Sequence, residues 1–342
     1  MAETFRIVLD AMGGDYAPDY QVEAAVQAAA ENPDIRLFLT GIEEKLVESL
    51  KRFPDYPKDR ITVVPASEVI ENSEPPVAAV HKKKDSSLVK GMMMVKHQEA
   101  DAFVSSGSTG AVLVGGQVLV GRAKGVERPP LAPLIPTNKG AVLLIDCGAT
   151  VDARPSHLLQ FARMGSIYME SVVGVKNPRV AIVNIGAEEE KGNALVKETF
   201  PLLKKLKGIN FIGSIEARDI PYGMADVVVC EAFVGNIILK LYEGLGTMLL
   251  SEVKKGLTST FISKFGALLA KPALKKTLKN YNMDLYGGAP LLGLKGLVVK
   301  THGSANVTEV KNAILQCIQF SKEQVNEKIA SHILEDREDS EA

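Results

Sequence analysis

Short apolar runs recur along this chain of 342 residues, and most pass through a turn of Gly, Asp, Asn or Ser into a stretch of helical periodicity. Phe5–Leu9, Ile35–Thr40, Ile61–Pro65 and Ala102–Val104 read as strands, as do Arg179–Ile185, Phe211–Ile215, Ala225–Cys230 and Val298–Lys300. Gln21–Glu31, Glu43–Phe53, the stretch from Pro75 to Ala100, Ala194–Lys207 and segments beginning after Gly110, near Ser156 and after Asn236 and Asn306 read as helices. This alternation implies a mainly parallel sheet covered on both faces. Leu131–Pro136 and Ala141–Ile145 flank Thr137-Asn138-Lys139-Gly140, a hairpin signal that makes the sheet mixed. The acids of Glu335–Glu341 read as a frayed, solvated tail.

The ends of these strands carry the chemistry. Ala102–Val104 runs into Ser105-Ser106-Gly107-Ser108-Thr109-Gly110, where small side chains, hydroxyls and free backbone N–H groups meet a helix N-terminus suited to an anion. A plain helix cap by Ser or Thr explains the same residues. Similar punctuation follows other runs: Asp10–Asp15, Asp146–Asp152, Gly186–Asn193, Glu231–Asn236 and Thr301–Asn306. In open α/β sheets ligands bind outside the carboxyl ends of the strands, so these turns are expected to converge on one cleft.

Composition narrows the classes. The length suggests two domains or lobes, and 46% hydrophobic with 24% charged residues describes a soluble globular protein. A formal net charge of −1 argues against a general nucleic-acid binder. Cys147, Cys230 and Cys317 are too few and too scattered for a disulfide framework or a zinc site, which fits a reducing cytoplasm. The start MAETFRIVLD does not read as a signal peptide, and no segment approaches the roughly 18 apolar residues expected of a spanning helix. Between Lys254 and Met283, however, seven lysines occur with no acid, and Leu257, Phe261, Phe265, Leu268 and Leu269 share one helical face until Pro272 interrupts. Such a basic amphipathic segment suits an anionic bilayer or an acidic partner, and equally a stripe docked on the core or on a second copy.

The recognisable nucleophile and metal motifs are missing: no G-x-S-x-G, no G-x-x-x-x-G-K-[ST], no H-E-x-x-H and no G-x-G-x-x-G after a strand. Anion cradles without a protein nucleophile suit a reaction whose attacking group is an oxyanion supplied as substrate, inorganic phosphate being one. Such a nucleophile needs holding and partial neutralisation, and a tetrahedral oxyanion formed on an acyl carbonyl needs donors. Lys191 and Asn236 are the side chains best placed in the pattern for those tasks.

Taken together, these motifs resemble the PlsX family of bacterial phosphate acyltransferases, which move a fatty acyl chain from acyl-(acyl carrier protein) to inorganic phosphate. The resemblance runs from Asp10-Ala11-Met12-Gly13-Gly14-Asp15 through Ser105–Ala111, Arg128-Pro129, Pro136-Thr137 and Asp146–Gly165. It continues in Asn184-Ile185-Gly186, Lys191-Gly192-Asn193, Asn210–Gly213, Glu216–Asp219, Gly235-Asn236, Tyr286–Ala289 and His302-Gly303-Ser304. The chain departs from the family pattern at Ser108, Thr150 and Glu231-Ala232.

The resemblance implies one three-layer α/β/α catalytic unit over residues 1–342, with residues 254–283 inserted, folded like isocitrate and isopropylmalate dehydrogenases and phosphotransacetylase. It also implies a homodimer on the inner face of the membrane that needs no metal or organic cofactor. Its acyl phosphate product would pass to the acyltransferase that acylates glycerol 3-phosphate. On this reading phosphate sits on Asp10, Gly13, Gly14 and Asp15 and on Ser106, Gly107, Thr109 and Gly110. Lys191 neutralises charge, Asn236 donates to the carbonyl oxygen or holds the pantetheine arm, and His302 protonates the leaving thiolate. Asp146, Asn184 and Asn193 complete the phosphate- or substrate-binding set, and Asp10, Asp15 and Asp146 orient Lys191 or the turns. A phosphotransacetylase acting on acyl-CoA, and a non-catalytic membrane scaffold for acyl carrier protein, remain as alternatives.

Overall fold

In the computed structural model, which describes residues 4–279, 281 and 283–341, the apolar runs build two sheets where the pattern suggests one. The strands are β1 (Phe5–Asp10), β2 (Ile35–Gly41), β3 (Ile61–Pro65), β4 (Ala102–Ser105), β5 (Leu134–Thr137) and β6 (Gly140–Ile145). They continue with β7 (Arg179–Val183), β8 (Asn210–Ile215), β9 (Val227–Val229), β10 (Ala289–Leu291) and β11 (Leu297–Lys300). One sheet has the order β10-β11-β4-β1-β2-β3, the other β5-β6-β9-β7-β8. Each is parallel except at one edge, where β10 pairs with β11 and β5 with β6 in antiparallel register. The expected hairpin therefore edges the second sheet. The short β10 carries Pro290, which an edge strand tolerates and which hides it from pattern reading.

The helices are α1 (Asp19–Glu31), α2 (Glu43–Leu50), α3 (Pro76–Lys82), α4 (Ser87–Lys96), α5 (Thr109–Gly115) and α6 (Pro155–Tyr168). After them come α7 (Ala194–Lys205), α8 (Ala232–Leu257), α9 (Phe261–Lys279), α10 (Val307–Lys322) and α11 (Val325–Glu341). Strand alternation decides which helices cover which face. Ile7 and Leu9 of β1 join a core with Val22 and Ala25 of α1 and Val310 and Ile314 of α10, while Val8 and Phe103 face Met92 of α4 and Val112 of α5. In the second sheet Leu143, Val180 and Val227 enter the same large core, beside Phe161 of α6 and Ile333 of α11. Leu144, Ala181 and Val228 point the other way, towards Leu239 of α8. The result is a layered α/β fold in which one core spans both sheets.

Three local expectations change. Residues 75–100 hold two helices, because Ser86 accepts the Val89 N–H and starts α4 afresh. The acidic end is helical: Asp336 takes both guanidinium branches of the buried Arg163, at 2.8 and 2.7 Å. Arg163 also donates to the carbonyls of Lys207 and Gly208, so α11 is tied to α6. Finally, α8 is long and apolar enough, by length and composition alone, to cross a membrane, contrary to the expectation that no segment approaches this. Its first turns are built into the fold by buried Ala232, Gly235 and Leu239, and the remainder exposes Leu241, Leu245, Met248, Leu249 and Val253. The following α9 runs through Pro272 without ending and exposes Phe261 (88%), Ile262, Phe265, Leu268 and Leu269.

Candidate functional site

Register places the first half of the site. Asp10 of β1 pairs with Ser105 of β4, and Ser105 pairs with Lys300 of β11, so an acid, a hydroxyl and a cation stand level across three neighbouring parallel strands. All three are buried. Ser105 Oγ donates to Asp10 Oδ2 at 2.7 Å, and the same Oγ accepts the Gly107 N–H at 3.0 Å. Burial pushes the Asp10 pKa up, against the hydroxyls of Ser87 and Ser105, the Met12 N–H and the charge of Lys300. Burial likewise pushes Lys300 down to about 8, partly offset by Glu309, Asp10 and Asp15. Its Nζ donates to the Thr301 carbonyl. Lys300 was missed in the sequence because it reads as the polar last residue of a strand, and only the register reveals what stands beside it.

The turns above this row are knitted together. A Cβ on Gly13 would lie 2.6 Å from Gly107 N and 2.8 Å from Asp10 Oδ2, so the two turns meet this closely because position 13 is Gly. Gly14 has φ +101°, and Asp15 N donates to the Gly303 carbonyl at 2.8 Å. Ser106 Oγ shares a 2.6 Å hydrogen bond with Thr301 Oγ1. Ser108 caps α5 by accepting the Ala111 N–H, leaving Thr109 exposed on the first turn, and Gly110 packs against Pro76. His302 Nδ1 lies 2.7 Å from Ser304 Oγ and accepts the Ser304 N–H at 3.2 Å, which leaves Nε2 on the side of the ring away from that turn. Thus the turns of Asp10, Gly13, Gly14 and Asp15, of Ser106 and Gly107, and of His302 come together beside Lys300, while Thr109 and Gly110 follow on the first turn of α5.

The second half lies at the ends of β6, β7 and β9. Asp146 is buried and accepts four backbone N–H groups: Leu131, Gly148 and Ala149 at Oδ1, Thr150 at Oδ2. Burial pushes its pKa up while these four donors hold it down. Its work is to shape the loop. Asn184 donates to the Lys191 carbonyl at 3.1 Å and to Ser214 Oγ, fixing the ends of the loop that carries Lys191, and Asn193 caps α7. Lys191 is half-exposed and ion-paired with Glu188 at 2.7 Å, which raises its pKa. Glu188 therefore holds Lys191, and of the two tasks expected of Asp10, Asp15 and Asp146, orienting Lys191 or the turns, Asp10 and Asp146 perform the second, engaged by hydroxyls and backbone N–H groups.

Helix α8 joins the halves. A Cβ on Gly235 would overlap the Asp146 carbonyl oxygen, so glycine lets the helix start abut the end of β6. Glu231 caps α8 by accepting the Val234 N–H at 2.8 Å, and Ala232 is helical, with its N–H on the Thr150 carbonyl. The departures at Ser108, Thr150, Glu231 and Ala232 thus fall on helix caps and their contacts. Asn236 is exposed one turn before Lys240, whose charge acts on Lys300, so this face of α8 looks towards the first half of the site.

This layered α/β fold is that of the phosphotransacylases. The model superposes on a phosphotransacetylase from Streptococcus pyogenes with a TM-score of 0.61 at 16% identity, covering 94% of each chain, a likeness of fold. A EutD phosphotransacetylase from Staphylococcus aureus gives 0.59 at 17% identity, again over 94% of both. The model of the family described as fatty acid synthesis protein matches residues 5–328, and the chain belongs to this family, the PlsX family of phosphate acyltransferases. A phosphate acyltransferase from Clostridium novyi (strain NT) is 47% identical over 328 residues, 96% of this chain and 98% of that protein. One from Alkaliphilus oremlandii (strain OhILAs) is 49% identical over 330 residues, 96% of each. The protein is an acyltransferase.

Proposed function

We propose that the protein transfers a long-chain acyl group from acyl-(acyl carrier protein) to inorganic phosphate, with phosphate seated over the level row of Asp10, Ser105 and Lys300. That row carries the reading: a buried cation beside two glycine turns and a hydroxyl pair is a seat for a small polyanion at the mouth of parallel strands. A phosphate oxygen attacks the thioester carbonyl, the new C–O bond forms, and the C–S bond breaks as the tetrahedral intermediate collapses. Lys300 and Lys191 offset charge on phosphate and on the developing oxyanion, and Asn236 donates to that oxyanion. The hydrogen phosphate gives up its proton as it attacks and the departing thiolate takes that proton, with His302 Nε2 hydrogen-bonding the sulfur as it leaves. No step calls for a cofactor.

The exposed apolar faces of α8 and α9, flanked by lysines, support seating on an anionic membrane from the cytoplasmic side, where a lipid-soluble acyl phosphate is delivered to the next acyltransferase for glycerol 3-phosphate. A homodimer belongs to the same proposal. The test is release of carrier-protein thiol from a long-chain acyl-carrier-protein thioester with and without phosphate, with acyl-CoA as a parallel donor. Phosphate-dependent release with a hydroxylamine-reactive product supports the reading; release from acyl-CoA alone moves the donor to coenzyme A, and no release with intact vesicle binding leaves a scaffold.

A further inference from the structure

Beside the second half of the cleft lies an open cavity of about 420 Å3, lined among others by Val118, Arg122, Glu127, Arg128, Arg154 and His157. Two chain segments that cage Asp146 lead into it. Arg128 precedes Leu131 by three residues and Arg154 follows Thr150 by four, so both guanidinium-bearing positions stand within about 14 Å of chain from the site.

The cavity is cationic and its carboxylate is already engaged. Glu127 Oε2 accepts Ser156 Oγ at 3.0 Å and lies 3.3 Å from His157 Nε2, and Oε1 is 3.4 Å from Arg337 Nη2. Arg122 Nη1 donates to the Glu127 carbonyl at 2.5 Å. Among the described residues no carboxylate pairs with Arg128 or Arg154, both exposed, and both depress the pKa of the buried His157, after burial and against Glu127. Val118 (69% exposed) adds an apolar contact at the rim. In a chain with a net charge of −1, such a local field has to be built, and it steers an acidic partner.

We propose that Arg122, Arg128 and Arg154 are the docking face for the acidic carrier protein that brings the acyl group. This rests on the donor reading given above. Guanidinium forks match carboxylates bidentately, and arginines are strong interface anchors, whereas the lysines of α9 alternate with exposed Phe and Leu and suit a bilayer. Arg128 and Arg154 stand exposed at the open mouth, within reach of carboxylates on a partner's surface, and its nearness to Asp146 lets a tethered thioester reach the cleft.

The experiment is fluorescence anisotropy of labelled holo-acyl carrier protein with the full-length protein: wild type, Arg128→Glu/Arg154→Glu, and Lys275→Glu/Lys276→Glu in α9. The expected result is a Kd raised at least tenfold in the arginine variant only, a wild-type Kd that weakens with salt, and an unchanged melting temperature and molecular mass. Should charge reversal unfold the chain, Arg128→Gln/Arg154→Gln is measured instead, with a smaller rise expected. Unchanged binding, loss only in the lysine variant, displacement by millimolar inorganic phosphate, or dissociation of a dimer on arginine replacement would overturn the docking face. The two readings fail separately. Wild type that neither binds carrier protein nor releases its thiol loses the donor, whereas wild type that turns over while the arginine variant keeps its KM for acyl carrier protein loses only the docking face.

Discussion

At Lys300 charge, burial and register meet, and its titration makes a sharp expectation. Burial moves its pKa from the ordinary 10.5 down to about 8, so the cation is present below that pH and lost above it. kcat/KM for phosphate should therefore fall on the alkaline side of about pH 8. Lys300→Arg should shift that limb upwards, and Lys300→Gln should cost roughly 10²–10³-fold, the scale of losing one preorganised charge-stabilising group. A flat alkaline profile in wild type would remove Lys300 from the phosphate seat. Lys191 differs, being half-exposed on a loop: Lys191→Ala should cost activity on the same scale while leaving the melting temperature nearly unchanged. The glycines and hydroxyls of Asp10–Asp15 and Ser105–Gly110 are legible in sequence because their types are local signals. Lys300 is not, since a lysine at a strand end gains meaning only from Ser105 and Asp10 beside it. The partner of Lys191 was equally hidden among three consecutive glutamates.

Elements were legible where periodicity was long and unbroken. Strands β1, β2, β3 and β4 and helices α1 and α7 follow the apolar pattern closely, whereas β10 is too short to register and the split between α3 and α4 depends on one serine cap. The acidic end was misread because composition cannot show that Asp336 meets Arg163 across 173 residues of chain. Asp336→Ala leaves a buried guanidinium without its carboxylate, and loss of about 3 kcal/mol in denaturant unfolding is expected. Gly235→Ala, whose Cβ would overlap the Asp146 carbonyl, should cost about 2–3 kcal/mol by overpacking and should separate α8 from the end of β6, read by unfolding and by activity together. For α9, Phe261→Ser with Phe265→Ser should abolish binding to anionic vesicles and leave activity on a soluble thioester intact. Vesicle binding at wild-type strength would assign that stripe to another partner.

At the scale of the molecule, the alternation of strands and helices gives the layered α/β class from sequence, but not the partition into two sheets, because strand order is a matter of which edges meet. β11 returns from the far end of the chain to stand beside β4, and so the phosphate-type turns of the beginning are completed by residues near the end. Helix α8 then ties the second sheet's turn at Asp146 to this seat. In the proposed reaction phosphate itself is the nucleophile. The most direct measurement is mass spectrometry of the acyl product formed from acyl-(acyl carrier protein) with fully 18O-labelled inorganic phosphate. The expected product is an acyl phosphate carrying all four labelled oxygens, formed by wild type and suppressed in Lys300→Gln. Unlabelled free fatty acid as the sole product would mean that water attacks the thioester, and would rule out phosphate as the nucleophile.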